Sequence, residues 1–198
     1  KKIGPRSEIA AMLGHLGNPR LLGLFIIAFV GMGVFVSLYN FFGFRMIEHF
    51  GLSPALVGVV FFMYLSGTWS SARAGAMTEK YGRGRVLVAG AGLMLVGLLA
   101  TMSGWLPGAL IGLFLFTASF FAMHSTASSW IGLAATSHRA EASSMYLFSY
   151  YAGSSLVGAA TGVVFAMASW SGFILVLAGI LLLVVVTALA LGRAEKRA

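Results

Sequence analysis

Six long apolar stretches, separated by short polar connections, make up most of the chain. They cover about residues 21–44, 55–77, 86–105, 107–135, 140–168 and 171–192. A helix that crosses the hydrocarbon core of a bilayer needs about 20 residues, at a rise of about 1.5 Å per residue. The pattern therefore predicts an all-α membrane protein with six transmembrane helices. Residues 1–20 are predicted to form a cytoplasmic linker or amphipathic segment, and residues 193–198 a cytoplasmic tail.

Polar residues are distributed unevenly over these six predicted spans. The third span, VLVAGAGLMLVGLLATMSGW, holds only Thr101 and Ser103, and the stretch GFILVLAGILLLVVVTALAL of the sixth holds only Thr187. The other four carry polar rows, three of them at helical spacing: Tyr64, Thr68 and Ser71; Thr117, Phe121, His124 and Ser128; Tyr146, Tyr150 and Ser154. Polar groups in a membrane tend to face the bundle interior or a wet cavity. We therefore expect spans one, two, four and five to converge on a cavity, and spans three and six to face lipid.

Two alternatives to this interpretation remain open at the level of single residues. A Ser or Thr in a span can bond to the backbone of its own helix, or can act as packing glue between helices. The order polar, polar, apolar nevertheless occurs twice along the chain, which is typical of two three-helix repeats.

Composition and charge agree with a membrane protein. The chain is 59% hydrophobic and only 9% charged, whereas roughly 25% of residues are charged in soluble domains. Of its 13 Lys and Arg residues, only Arg45 falls on one side of the predicted spans. The other side receives Lys1, Lys2, Arg6, Arg20, Arg73, Lys80, Arg83, Arg85, Arg139, Arg193, Lys196 and Arg197. The positive-inside rule then predicts that both termini are cytoplasmic.

The same charge asymmetry bears on partners and cofactors. A net charge of +8 is explained by topology and by anionic lipid headgroups, so no nucleic-acid partner is expected. The chain has no Cys, which excludes disulfides and thiolate metal sites. We expect no metal and no cofactor.

The connection GAMTEKYGRGR, Gly75 to Arg85, is short, basic and rich in glycine. It resembles the G-x-x-x-D-R/K-x-G-R-R/K-R/K loop of the major facilitator superfamily, with Glu79 in place of the usual Asp. Glycines permit a tight turn and close helix approach, and a carboxylate can bond a helix N-terminus or a cation and lock a cytoplasmic gate. The candidate gate residues are Gly75, Glu79, Lys80, Gly82, Arg83 and Arg85. The alternative is an ordinary positive-inside loop.

Further stretches carry the resemblance from about Gly17 to Leu191. LGNPRLLGLFIIAFVGMGVFVSLYNFFGFRM, YLSGTWSSARAGAMTEKYGRGRV, HSTASSWIG and EASSMYLFSYYAGSSLVG are similar to the carboxyl-terminal half of bacterial inner-membrane efflux permeases of the arabinose-efflux type. The resemblance implies helices seven to twelve of a secondary transporter that works by alternating access. It also implies proton-coupled efflux of a small organic molecule, and a partner that is either the amino-terminal six-helix half of the same chain or a second copy.

Candidate cavity residues are the aromatic, amide and hydroxyl groups of the four polar spans, since such sites combine apolar walls with a few orienting hydrogen bonds. They are Tyr39, Asn40, Tyr64, Thr68, His124, Ser128, Tyr150 and Ser154, with Trp130 as a further aromatic candidate. The chain has no Asp, and its five Glu lie at or beyond span ends. His124 is therefore the candidate proton site. Its alternative role is structural, as a neutral His bonded to Ser125 or Ser128.

Two arginines, Arg73 and Arg45, lie near the ends of predicted spans. Arg73 either extends its charge to the lipid headgroups or forms a gate salt bridge. Arg45 and Glu48 are expected to form an exposed ion pair that contributes little to stability.

A nucleophile motif is absent and His124 has no acidic partner in any span, so an enzyme is not expected. A six-helix channel or a non-transporting scaffold acting as a dimer remains the alternative function.

Overall fold

The computed structural model of the protein describes residues 5–196, which are helical with short connections. The cations Lys1, Lys2 and Arg197, and the side chain of Arg6, lie outside what the structure describes. The helices are α1 (Pro5–Gly14), α2 (Pro19–Glu48), α3 (Pro54–Val59), α4 (Tyr64–Tyr81), α5 (Arg83–Ala100), α6 (Leu106–Ala134), α7 (Arg139–Met167) and α8 (Trp170–Glu195).

Six candidate membrane spans are present among the described residues, each long and apolar enough to cross a bilayer. The predicted all-α, six-span fold class is thereby confirmed. The second span is composite, because a 3-10 segment at Val60–Met63 joins α3 to α4. The third span ends at Ala100, although the apolar run in the sequence extends to Trp105. Residues 101–105 form a turn, in which the carbonyl of Thr101 accepts a hydrogen bond from the Trp170 indole at 3.0 Å.

Local sequence signals explain where several helices begin. The side chain of Asn18 accepts hydrogen bonds from the backbone N–H groups of Arg20 and Leu21, and Pro19 starts α2. Ser53 caps α3 ahead of Pro54, and Ser169 caps α8 by accepting from Gly172. Capping residues of this type satisfy N–H groups that have no partner within the helix. Proline at the first helical position loses no hydrogen bond there.

The six spans pack in two layers. Helices α2 and α6 touch each other at the centre, with α7 against α2 and α4 against α6. Behind them, α5 packs on α6, α8 packs on α2, and α5 and α8 pack on each other. The four helices predicted to carry the cavity thus form one layer. Helices α5 and α8, which are predicted to face lipid, form the other.

Candidate functional site

Aromatic side chains from α2, α4, α6 and α7 meet in one connected group, which we call the aromatic cluster. Its centre is Phe35, whose ring lies 4.3 Å from that of Phe120 and 4.8 Å from that of Tyr39, measured between centroids. Tyr39 in turn lies 4.8 Å from Tyr64. We use the name for eight of its rings: Phe35, Tyr39, Tyr64, Phe120, Phe121, His124, Tyr146 and Tyr150. Phe61, Phe116 and Tyr151 lie against its edges.

His124 connects the α6 part of the cluster to α7. Its imidazole lies 4.8 Å from the ring of Tyr150 and 5.9 Å from that of Phe120. The hydroxyl of Tyr146 is 3.0 Å from Nδ1 of His124. The expected bond of His124 to Ser125 or Ser128 is not formed among the described residues, and Tyr146 from the neighbouring helix is the partner of Nδ1.

A second polar contact lies at the other end of the cluster. The hydroxyl of Tyr39 is 2.6 Å from Oγ1 of Thr117, and Thr117 also donates to the Leu113 carbonyl at 2.8 Å. Buried tyrosines usually find such a partner, since an unbonded hydroxyl in an apolar environment is costly. The cluster is therefore largely apolar, with hydroxyl and imidazole groups held at defined positions.

The rings of the cluster divide into an inner, buried set and an outer, accessible set. Phe35 and Phe120 are each 1% exposed, and Tyr146 is 2% exposed. Tyr64 is 36% exposed, while Tyr39, His124 and Tyr150 are partly buried. The inner rings thus hold the helices together, and the outer groups remain within reach of a ligand.

The structure brings together four of the eight candidate cavity residues, namely Tyr39, Tyr64, His124 and Tyr150. The other four are not linked to the rings of the cluster by any hydrogen bond among the described residues. Thr68 and Ser154 donate to carbonyls of their own helices, at Tyr64 and Tyr151, and Asn40 and Ser128 are exposed. Trp130, the further candidate, is 5% exposed and belongs to the apolar core.

Several hydroxyls in these spans join helices and so do not line a cavity. Ser70 of α4 donates to the Ala118 carbonyl of α6 at 2.7 Å. Ser66 and Ser71 of α4 also donate to carbonyls of α6, over a longer distance of 3.4 Å. Ser37 and Thr161 contact each other at 2.6 Å between α2 and α7. These residues therefore match the alternative interpretation, in which Ser and Thr hydroxyls hold neighbouring helices together.

Carboxylates are distant from the cluster. All five Glu lie in α1 or at the ends of spans: Glu8, Glu48, Glu79, Glu141 and Glu195. Within residues 5–196, no group of three or more acidic or His side chains is suited to hold a metal ion. His124 is therefore the one cluster member of a residue type whose ordinary pKa lies near neutral pH.

The glycine-rich connection forms a turn of one residue between α4 and α5. Gly82 has φ +86°, which is in the left-handed region that favours glycine. Glu195, at the end of α8, accepts hydrogen bonds from the backbone N–H of Gly84 at 2.6 Å and of Arg83 at 3.2 Å. The acid at this helix N-terminus is thus Glu195. Glu79 is exposed and accepts no hydrogen bond among the described residues, and its role at the gate stays a prediction.

Glycines elsewhere in the connection differ in their surroundings. A Cβ added at Gly84 would lie 2.5 Å from Cα of Gly192, so α5 and α8 approach closely at this point. A Cβ added at Gly75 would meet nothing within 4 Å. The close approach of α5 and α8 therefore explains why residue 84 is a glycine, whereas no contact among the described residues explains the glycine at position 75. Lys80 and Arg85 are exposed.

The two arginines singled out from the sequence both lie over aromatic rings. The guanidinium of Arg73 is 4.3 Å from the ring centre of Trp69. Arg45 lies 5.5 Å from Phe50 and 5.9 Å from Trp170. Among the described residues, the contact between an acidic and a basic side chain joins His138 and Glu141 at 3.4 Å, so the expected Arg45–Glu48 pair is not formed. Cation–π contact replaces it.

Comparison with known proteins places this geometry in a family. Residues 6–198 match the family described as Major Facilitator Superfamily. The chain is 46% identical over 150 residues to the inner membrane transport protein YnfM of Escherichia coli strain K12, covering 75% of this chain and 36% of that protein. It is 37% identical over 164 residues to the uncharacterized MFS-type transporter YybF of Bacillus subtilis strain 168, covering 82% and 39%.

Other relatives show the same proportions. An uncharacterized transporter of Buchnera aphidicola subsp. Schizaphis graminum is 41% identical over 159 residues, covering 80% of this chain and 38% of that protein. The chain thus spans less than half the length of the curated relatives that it matches. The inward-open xylose transporter XylE from E. coli shares the fold, with a TM-score of 0.67 at 14% identity over 93% of this chain and 47% of XylE.

Proposed function

Because the chain belongs to the major facilitator superfamily, a family of membrane transporters and not of enzymes, we propose that it forms one half of a secondary transporter. In this proposal it corresponds to the carboxyl-terminal six helices. The transporter exports a small organic molecule by alternating access, using the proton gradient across a bacterial inner membrane, with both ends of this chain in the cytoplasm.

The observation that carries this proposal is the aromatic cluster. Four helices of one layer contribute to it, and its outer groups Tyr64, His124 and Tyr150 are accessible. Ring faces with a few hydroxyl and imidazole groups suit the binding of a small organic molecule. The cluster contains no carboxylate, so its contribution to recognition comes from ring contacts and neutral hydrogen bonds, with His124 as the single titratable group.

His124 is the proposed proton site of this half. Its Nδ1 faces the Tyr146 hydroxyl, and its ring contacts Tyr150 at the accessible side. Histidine is the side chain whose ordinary pKa lies near neutral pH, whereas the ordinary pKa of a tyrosine hydroxyl is near 10. Carboxylates that assist coupling would lie in the other half of the transporter.

The proposed partner is an amino-terminal six-helix half of the same protein, packed against α4 and α7. Both helices expose large apolar side chains, including Leu65 and Trp69 on α4 and Leu156 on α7. The relatives are more than twice as long as the matched region. The turn at Gly82, with the cations around it, is the proposed cytoplasmic gate between the two halves.

Transport by the full-length protein in everted membrane vesicles tests the proposal. Vesicles are supplied with pentoses, cationic dyes and amino acids, each with and without an uncoupler. We expect saturable uptake of one class, abolished by the uncoupler. Saturable uptake that the uncoupler leaves intact would contradict proton coupling, and current without saturation would indicate the six-helix channel. No uptake of any compound, with correct insertion verified, would favour the scaffold.

Matched variants then test whether the cluster is the binding surface. Tyr150→Ala removes a partly exposed ring of the cluster, and we expect a loss of about two- to tenfold in apparent affinity, since a well-placed aromatic contact contributes roughly 0.5–1.5 kcal/mol. Trp105→Ala is the control, because Trp105 is an exposed aromatic in the α5–α6 turn. Equal loss in both variants would show that the cluster has no specific part in binding.

A further inference from the structure

A groove lies on the outer side of the bundle, between α5 and α8 at the end where α8 terminates. Its volume is about 340 Å³. The backbones of Gly84 and Gly192 touch at its base, and because neither has a side chain, the two helices leave an open channel above this contact. Val88, Ala89 and Leu189 form its apolar walls. The groove is on the layer opposite the aromatic cluster, so it is separate from the proposed transport site.

Three cationic side chains line the same groove, namely Arg85, Arg193 and Lys196. All three residues are exposed. Within the described part of the chain, none of their side chains takes part in an ion pair or hydrogen bond. The nearby carboxylate of Glu195 is already engaged, since its two oxygens accept from the backbone N–H groups of Arg83 and Gly84. With three cations and one adjacent carboxylate, the groove therefore presents a net positive charge beside an apolar channel.

The helices that form the groove continue into an apolar outer surface. Leu93 and Val96 on α5 and Leu182 and Val186 on α8 are all exposed large hydrophobic residues. A surface of this kind in a membrane protein is covered by lipid chains. An occupant of the groove must then satisfy cations at one end and apolar walls at the other, which is the structure of an anionic lipid.

We propose that the α5–α8 groove is a binding site for a diacyl phospholipid with a net negative headgroup. The phosphate lies among Arg85, Arg193 and Lys196, and one acyl chain runs along Val88, Ala89 and Leu189. The lipid bridges the start of α5 and the end of α8, the same two helix ends that Glu195 joins. A bound lipid would thus hold the base of the proposed gate loop to α8 from outside.

Lipid binding to the full-length protein, followed by native mass spectrometry in detergent, tests this site. The probes are phosphatidylglycerol, which is anionic, and phosphatidylcholine, which has no net charge. We expect tighter binding of phosphatidylglycerol. The variant Arg85→Gln/Arg193→Gln/Lys196→Gln should weaken it by about 100-fold, since each basic residue near an anionic lipid contributes about a factor of five. The same variant should leave phosphatidylcholine binding nearly unchanged.

A charge-matched control separates the groove from general attraction. Arg73→Gln/Lys80→Gln/Arg139→Gln removes three exposed cations that do not line the groove, and we expect it to bind phosphatidylglycerol as the unmodified protein does. Equal loss in the two triple variants would overturn the proposal, as would the absence of any preference for phosphatidylglycerol in the unmodified protein.

A third variant tests the acyl-chain wall while all cations remain. Ala89→Trp places a large ring in the channel at an exposed position, where folding should be unaffected. We expect it to weaken phosphatidylglycerol binding at the tightest site. Unchanged binding, or displacement of the lipid by inorganic phosphate at millimolar concentration, would show that the groove is only a phosphate-sized charge site and would overturn the lipid assignment.

Discussion

The two layers of the bundle differ in what fills the space between their helices. In the layer of α2, α4, α6 and α7, large rings fill that space, and the outer rings stay partly exposed. Where α5 meets α6 and α8, glycines let the backbones themselves come into contact, as at Gly97 and Gly84. A glycine contact of this kind also occurs in the first layer, where a Cβ added at Gly153 would meet the backbone of Phe29. The layers therefore differ in their rings, which leave a surface that a small ligand can reach. The first layer is suited to binding a substrate, and the second fixes its helices through backbone contact while carrying the outer groove.

The largest effect in this comparison is expected from the buried ring at the centre of the aromatic cluster. Phe35→Ala should lower the free energy of unfolding by about 3–5 kcal/mol, because it leaves a cavity and removes the ring contacts. Phe114→Ala is the control, since Phe114 is 49% exposed on α6. Denaturant unfolding in detergent measures both. A Phe35→Ala protein as stable as the control would mean that the inner rings do not hold this layer together.

A smaller but distinct loss is expected when the glycine contact is broken. A Cβ added at Gly97 would lie 2.5 Å from the backbone nitrogen of Phe116, whereas one added at Gly92 in the same helix meets nothing within 4 Å. Gly97→Val should therefore destabilise the protein by about 1–3 kcal/mol through overpacking, and Gly92→Val should have little effect. Thermal unfolding of the two variants checks this, and equal melting temperatures would show that the second layer is not tightly fixed.

The smallest effect concerns the bond between α8 and the start of α5. Glu195→Gln keeps the shape of the side chain but removes the charge that favours the helix N-terminus, so we expect a loss of about 1 kcal/mol. Glu79→Gln should be neutral, because Glu79 is exposed. The same unfolding measurement compares them. A greater loss of stability in Glu79→Gln than in Glu195→Gln would show that Glu79, and not Glu195, stabilises this helix end.

Much of the fold could be predicted because it depends on local composition. Apolar runs of about 20 residues must become helices in a membrane, where every backbone group needs a partner within its own segment. The helix ends were harder to predict. The apolar run of the sequence continues to Trp105, yet α5 ends at Ala100. The backbone N–H groups of Thr101, Met102 and Ser103 donate to carbonyls in the last turn of α5 and so close a turn at its end.

The candidate site was predictable only where polarity marked it. Tyr39, Tyr64, His124 and Tyr150 are unusual residues in apolar spans, so the sequence could identify them. Phe35 and Phe120 are chemically identical to other core residues, and only the packing of α2 on α6 shows that they belong to the cluster.

Partners distant in the chain were missed for the same reason. Glu195 is 111 positions from Gly84, and no local pattern connects them. Tyr146 shares a helical row with Tyr150, but its contact with His124 depends on how α7 lies beside α6.

The single residue between α4 and α5 limits how this protein can change in length during evolution. Gly82 is all that separates Tyr81 from Arg83. One inserted residue would require α5 to rotate by about 100° about its axis, or to shift along it, to keep the chain connected. Either movement would take Gly84 away from Gly192 and Glu195. We therefore expect functional variants to tolerate substitutions around the turn far more readily than insertions or deletions within it, and alignments of close homologues should show this junction free of gaps.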